Sequence, residues 1–258
     1  MDDLKVTIYQ ADIFWEDIDK NLLTIEEKLT KKKLETDLIV LPEMFNTGFS
    51  MQAKKLAEPM DGKTIAWMAK IAKTNNCVVT GSLIIKENSE YYNRLIWMHP
   101  DGNLSRYDKK HLFGLGLENE NYTPGNKKLV VELKGWKICP VICYDLRFPI
   151  WLRNKNAEYD LLLIVANWPE PRIEHWLALI KARAIENLAF AIGVNRIGID
   201  GNKINHTGDS ICISPLGNTK FQNKNNEVIQ TLCLSANEVE QIRNHLPFLK
   251  DADDFIIL

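Results

Sequence analysis

The sequence predicts an α/β protein folded as one domain. Three observations carry this. Short, almost wholly apolar runs, residues 37–41 and 160–166 among them, have the length and composition of buried strands. Stretches with apolar residues at helical spacing, such as 21–33 and 174–189, alternate with those runs. No Pro-, Gly- or Ser-rich linker divides the chain, whose 258 residues and 45% hydrophobic content suit a single large core.

Taken in order, residues 5–9 alternate apolar and polar and read as a strand. In 21–33, Leu22, Ile25, Leu29 and the stem of Lys33 share one helical face. The strand at 37–41 ends in Pro42-Glu43-Met44, so Glu43 stands just beyond a strand's C-terminal end, where open α/β sheets collect functional groups. A second amphipathic helix covers 64–75, and strands at 77–85 and 91–98 are joined by the polar stretch 86–90. Pro100-Asp101-Gly102-Asn103 signals a β-turn, and 104–107 is extended again, delivering Asp108-Lys109-Lys110-His111. A loop follows over 114–126, carrying Glu118 and Glu120. The strand leading to Ile142 begins near Leu129, with a turn around Gly135.

Beyond Cys143, residues 150–153 are helical and the strand at 160–166 ends in Asn167-Trp168-Pro169. The helix at 174–189 sets Trp176, Leu179, Ile180, Arg183, Ala184 and Asn187 along one face. Strands follow at 190–194, 210–213 and 228–234, with a turn at Pro215-Leu216-Gly217-Asn218, then a last helix at 236–244. The single domain spans 1–258, its tail from about 246 to 258 packing on another surface or on a partner subunit. The order β-α-β-α-ββ, then ββ-α-β-α-ββ, suggests two similar halves facing each other.

Composition excludes several classes. Charged residues are 26% and the formal net charge is −2, which offers nothing to nucleic acid or to an anionic membrane. The five cysteines, odd in number and spread along a long chain, are no disulfide framework. Met1-Asp2-Asp3 lacks the basic and apolar regions of a signal peptide, and the apolar run 161–166 is far too short to span a bilayer. A cytoplasmic protein is expected. Gly114-Leu115-Gly116 has Asn119 where a dinucleotide loop needs a third glycine, and Cys139, Cys143 and His111 lack a metal-ligand spacing. No metal and no cofactor is expected.

The chain is organised around Cys139-Pro140-Val141-Ile142-Cys143-Tyr144-Asp145-Leu146-Arg147-Phe148-Pro149. The apolar run stops at Cys143, and Pro149 suits the first turn of a helix. A cysteine at a strand-turn-helix corner is held rigidly, with backbone N–H groups close by, that of Tyr144 first. A thiol with an ordinary pKa of about 8.5 is mostly protonated at neutral pH. It needs a cation to stabilise the thiolate or a base to take its proton. A carboxylate such as Glu43 can be that base, and later the acid that protonates a departing amine. A buried lysine such as Lys109 can hold an oxyanion. Together Glu43, Lys109 and Cys143 suit attack on a carbonyl or nitrile carbon through a thioester-like intermediate. A Cys–His protease would draw on His111 or His206, but nothing papain-like surrounds Cys143, and His206 reads as a loop residue.

Leu41-Pro42-Glu43-Met44-Phe45, Tyr107-Asp108-Lys109-Lys110-His111-Leu112-Phe113 and Ile142-Cys143-Tyr144-Asp145-Leu146-Arg147-Phe148-Pro149 resemble the three signature segments of the nitrilase (carbon–nitrogen hydrolase) superfamily, in its order and at compatible spacing. The likeness extends to Asn167-Trp168-Pro169, Lys181-Ala182-Arg183-Ala184-Ile185-Glu186-Asn187, Gly193-Val194-Asn195-Arg196 and Gly208-Asp209-Ser210, and so covers nearly the whole chain. Asn46-Thr47-Gly48-Phe49-Ser50-Met51 and Asp251-Ala252-Asp253-Asp254-Phe255 look most like its omega-amidase-type branch.

The resemblance implies a four-layer αββα sandwich, Glu43 as general base, Lys109 rather than Lys110 as oxyanion stabiliser, and Cys143 as nucleophile. A supporting glutamate is also implied, and Glu118 fits its place better than Glu120. The activity implied is hydrolysis of the terminal amide of a small dicarboxylic monoamide, with a carbamoylase, a nitrilase or a catalytically silent binding protein as alternatives. A substrate carboxylate needs a cation; Arg147 and Arg172 are the candidates, with Trp168 beside them at a strand end. The resemblance further implies a homodimer or larger assembly, with the Cys143 corner helix and the tail near the interface.

Overall fold

The computed structural model describes residues 1–256. The first half runs β1 (Leu4–Gln10), α1 (Ile18–Lys32), β2 (Leu38–Val40), α2 (Ala53–Leu56), α3 (Lys63–Asn75), β3 (Val78–Glu87), β4 (Glu90–Met98), β5 (Leu104–Asp108) and the single turn α4 (Glu118–Asn121). The second runs β6 (Val131–Leu133), β7 (Trp136–Ile142), α5 (Pro149–Leu152), β8 (Leu161–Ala166), α6 (Ile173–Asn187), β9 (Phe190–Asn195), β10 (Ile197–Ile199), β11 (Asn205–Ile213), β12 (Thr219–Lys224), β13 (Val228–Leu234) and α7 (Ala236–His245).

These strands make two sheets. One has the order β13-β1-β2-β3-β4-β5, the other β10-β11-β9-β8-β7-β6, with β12 added on β11. Each contains three neighbouring parallel strands, β1-β2-β3 and β9-β8-β7, flanked by antiparallel ones. The two halves suggested by the element order are therefore two similarly wound sheets.

Period-two alternation explains how the sheets stack. Val6, Ile8, Leu38 and Val40 share one cluster with Ile138, Ile142 and Leu163 of the opposite sheet. Their neighbours Tyr9, Ile39 and Leu41 face the other way and pack with Leu22, Ile25 and Leu29 of α1 and Met68, Ile71 and Ala72 of α3. Each such side chain contributes about 1.5–3 kcal/mol. The Asp17 cap of α1, whose side chain accepts from the Lys20 N–H, is worth about 1 kcal/mol, so packing rather than capping seats this helix. On the far side, α6 presses Trp176 and Ile180 onto β9, and Gly193 is what permits it: a Cβ there would lie 2.4 Å from Ile180 and 2.5 Å from Trp176. The result is helix, sheet, sheet, helix, the αββα sandwich expected.

Several details differ from the sequence-based expectation. The three-residue strand β10, the polar strand β12 and the single turns α2 and α4 had no apolar periodicity long enough to announce them. His206 is not in a loop but buried in β11. Between Cys143 and Arg147 the chain makes a 3₁₀ turn before α5 begins at Pro149, the position expected to start a helix. The tail turns once over Phe248–Asp251 and lies on the same chain: Lys155 Nζ donates to the Phe255 carbonyl at 3.2 Å and pairs with Asp254 at 3.1 Å. Residues 257 and 258 of the expected tail lie outside the described residues. Among the described residues no helix is long and apolar enough to cross a membrane.

Candidate active site

Parallel strands deliver their C-terminal ends to one place. Glu43 follows β2, Cys143 follows β7 and Asn167 follows β8; Lys109 follows the antiparallel β5. Two of these ends are strained. Cys143 has φ = 43° and Met44, next to Glu43, has φ = 43°, left-handed values that cost a non-glycine residue of order 1–3 kcal/mol and persist only where the surroundings hold them. The Ser82 hydroxyl accepts from Met44 N–H at 2.9 Å, and the Asp145 carboxylate accepts from Ile142 N–H at 3.1 Å.

Glu43, Lys109 and Glu118 form a fully buried cluster. Lys109 Nζ donates to Glu43 Oε1 at 2.8 Å and to both oxygens of Glu118, at 3.0 and 2.8 Å. Asn93 Nδ2 bridges the two carboxylates, 2.8 Å from Glu43 Oε1 and 3.0 Å from Glu118 Oε1. The Asn167 N–H donates to Glu43 Oε2 at 2.8 Å, and the Phe113 N–H to Glu118 Oε2 at 2.7 Å. The Cys143 side chain lies close enough to feel the charges of Glu43 and Lys109. Glu120, the other loop carboxylate, is exposed and takes no part.

Burial and charge set the protonation of this cluster. Burial alone would lower the Lys109 ammonium, but the flanking Glu118 and Glu43 charges outweigh it and hold the ammonium above its ordinary value. Burial pushes the Cys143 thiol well up, the Glu43 carboxylate pushes it further, and Lys109 only partly opposes them. Burial also raises Glu118, against the pull of Lys109. The resting arrangement is thus a neutral thiol on a carboxylate, with an ammonium held between two acids.

A cavity of about 220 Å³ opens onto this cluster. Glu43, Lys109 and Cys143 line it together with Phe49, Phe113, Tyr144 and Trp168. Arg147 and Arg172 line it too, each guanidinium stacked on an aromatic ring, Arg147 at 4.8 Å over Trp168 and Arg172 at 5.3 Å over Phe113. Glu43, Lys109, Cys143, Tyr144, Arg147, Trp168 and Arg172 therefore converge here, with Glu118 behind Lys109 rather than in the cavity wall. Sequence reasoning missed Asn93, Ser82, the structural part played by Asn167, and the wall made by Asp200, Asn202, Ile204 and His206 of the β10–β11 hairpin. Asn93 carried a readable signal, since an amide and Arg94 inside the strand pattern Tyr91-Tyr92-Asn93-Arg94-Leu95 ask for buried partners. The hairpin carried none.

A helical sandwich around two sheets, with a thiol, an acid and a lysine gathered at strand ends, defines a hydrolase of the nitrilase type. Comparison with known proteins agrees. Residues 5–244 match the family described as carbon-nitrogen hydrolase. The chain is 41% identical over 258 residues to the omega-amidase YafV of Escherichia coli, covering 99% of each. It is 31% identical over 250 residues to the 2-oxoglutaramate amidase of Bacillus subtilis, covering 95% of this chain and 96% of that one. Its structure matches the crystal structure of a CN-hydrolase superfamily protein from Xanthomonas campestris, which bears an arsenic adduct in its active site, with a TM-score of 0.98 and 40% identity over 100% of both chains. The chain belongs to the carbon–nitrogen hydrolase family, and within it to the omega-amidase branch.

Proposed function

We propose that this protein is an omega-amidase, hydrolysing the terminal amide of a small dicarboxylic monoamide of the 2-oxoglutaramate or 2-oxosuccinamate kind to the acid and ammonia. The observation that carries the reading is Cys143, its thiol pushed up by burial and by the Glu43 charge, lining one cavity with Glu43 and with a Lys109 ammonium that donates to Glu43 at 2.8 Å.

In this reading Glu43 takes the thiol proton as Sγ adds to the amide carbon. An ammonium has three donors; with one on Glu43 Oε1 and one shared between the two oxygens of Glu118, the third serves the developing oxyanion. The Tyr144 N–H, second in its 3₁₀ turn and so without an intrahelical partner, supplies the other. The tetrahedral adduct collapses, the C–N bond breaks, and protonated Glu43 returns its proton to the leaving nitrogen, which departs as ammonia. Water, deprotonated by Glu43, then cleaves the thioester and restores the thiol. Glu118 keeps Lys109 charged and aimed, and Trp168 packs the cavity wall under Arg147.

The substrate's distal carboxylate is read by Arg147 or Arg172. Losing one partner of a buried charged pair costs about 2–5 kcal/mol, tens- to thousands-fold in kcat/KM. Arg147→Met or Arg172→Met should lose that much on the acid-bearing amide and far less on a matched neutral amide. If neither variant loses selectivity for the acid, the dicarboxylic substrate is wrong. Ammonia release from a panel of dicarboxylic monoamides, N-carbamoyl compounds and nitriles tests the activity itself; turnover confined to the last two classes would replace it with a carbamoylase or a nitrilase.

We take the 258 residues to act as one cytoplasmic hydrolase domain, supported by the continuous core between its sheets. We also take it to assemble as a homodimer or larger, supported by Ile150 of α5 and Phe248 of the tail, both large, apolar and exposed. Light scattering giving a monomer at all concentrations would remove the assembly.

A further inference from the structure

The Cys143 corner belongs to the second sheet and the Lys109 segment to the first, so their separation is set by whatever crosses between them. One buried side chain does this beside the nucleophile. Asp145, two residues beyond Cys143 and fully buried, accepts four hydrogen bonds. Oδ2 accepts from the Tyr107 hydroxyl at 2.8 Å and from the Ile142 N–H at 3.1 Å; Oδ1 accepts from the His111 N–H at 2.9 Å and pairs with His111 Nδ1 at 2.8 Å. Three of the four contacts come from residues 107–111, which carry Lys109; the fourth comes from the residue preceding Cys143.

The His111 ring cannot turn freely to find this carboxylate. It stacks on Phe148 with centroids 3.7 Å apart and planes 6° from parallel, and meets Trp151 edge-on at 6.1 Å. Tyr107 is fixed in turn, because its oxygen accepts from Trp151 Nε1 at 3.1 Å and from the Lys110 N–H at 3.3 Å. Nδ1 of His111 must carry a hydrogen to face an ionised Asp145. None of these groups lines the cavity, so none can touch substrate.

We propose that His111 and Asp145 are a positioning pair: the carboxylate, holding Nδ1–H of His111 and the Ile142 N–H at once, fixes the strained Cys143 corner in register with Lys109. A displacement of about 1 Å between a nucleophile and its partners can cost of order 10²-fold in rate without loss of substrate binding. The pair therefore acts on kcat. The kcat readout rests on the amidase reading; the thiol itself supplies one that does not.

The test uses His111→Leu, which removes the donor, and His111→Asn, whose Nδ2–H stands where Nδ1–H stood. His111→Leu should lower kcat on the amide roughly 10–100-fold with KM within about two-fold, and slow alkylation of Cys143 by iodoacetamide several-fold. His111→Asn should bring both rates back to within a few-fold of wild type. Tyr107→Phe, nearly isosteric, should move both in the same direction by a smaller factor and serves in place of His111→Leu should that variant not fold. Equal rates in the leucine and asparagine variants, or a drop in Tm with kcat and alkylation unchanged, would overturn the proposal. Should the wild type release no ammonia from any amide, the amidase reading fails alone, and the alkylation rates still decide whether the pair positions Cys143.

Discussion

Cys143→Ala should abolish amide hydrolysis, with a loss of about 10⁵–10⁶-fold, the scale seen when the nucleophile of a cooperating triad is removed. The size follows from the division of labour proposed for the cluster. Without Sγ, Glu43 has no thiol to deprotonate, and Lys109 and the Tyr144 N–H face no adduct, so their contributions vanish with the nucleophile. Rapid acid quench and mass spectrometry of the wild type should put the acyl mass on the peptide holding Cys143. That peptide also contains Cys139, the natural control. Cys139 is fully buried in β7, does not line the cavity, and burial pushes its thiol up to about 12. Cys139→Ala should therefore keep near wild-type turnover at a modest cost in stability. An acyl group found on Cys139, with Cys143 unmodified, would overturn the assignment.

How much of this could be read from sequence depended on whether a residue's neighbours lay nearby in the chain. The apolar runs at 37–41, 138–142 and 160–166 marked β2, β7 and β8 because strands buried on both faces need no partner to be recognised. Their ends then located Glu43 and Cys143. What the ends could not reveal was burial. Beside Lys110, Lys109 looks like half of a solvated pair, yet it is almost wholly inaccessible. The pleat explains the difference: β5 ends at Asp108, opposite Arg94, so Tyr107 and Lys109 fall on one face and Asp108 and Lys110 on the other.

The β11 strand failed for the opposite reason. Asn205-His206-Thr207-Gly208-Asp209-Ser210 has the composition of a loop. It is strand because distant groups satisfy it: Gln10 Oε1 accepts from the Ser210 N–H at 2.9 Å, and Gln222 Nε2 donates to Asp209 at 2.9 Å. Pairing partners 200 and 13 residues away leave no local trace. His206 follows the same logic. Burial, reinforced by Arg196, holds its pKa down at about 4, so it stands in the cavity wall as a neutral ring.

Glu43→Gln should lower kcat/KM by at least 10²–10⁴-fold, the usual range for a lost general base, and by more if Glu43 also protonates the leaving nitrogen. The variant separates chemistry from architecture because the carboxylate's neighbours are all donors. Oε1 faces Lys109 and Asn93, Oε2 faces the Asn167 N–H, and a glutamine can satisfy only one side while turning its NH₂ toward the other. That mismatch costs about 1–3 kcal/mol, short of the 5–15 kcal/mol that holds a typical domain together, so a folded protein with a lower Tm is expected. The thiol should respond in the opposite sense to the rate. Burial raises Cys143 most, the Glu43 charge raises it further, and Lys109 lowers it. Removing the negative charge therefore moves the thiol's titration down, and the pH midpoint of its alkylation by iodoacetamide should fall as turnover collapses. A more easily formed thiolate in a slower enzyme is what a missing base predicts, because the departing nitrogen still lacks its proton. Turnover within a few-fold of wild type would reduce Glu43 to a buried structural acid, and an alkylation midpoint that rises instead would mean that its charge does not act on Cys143.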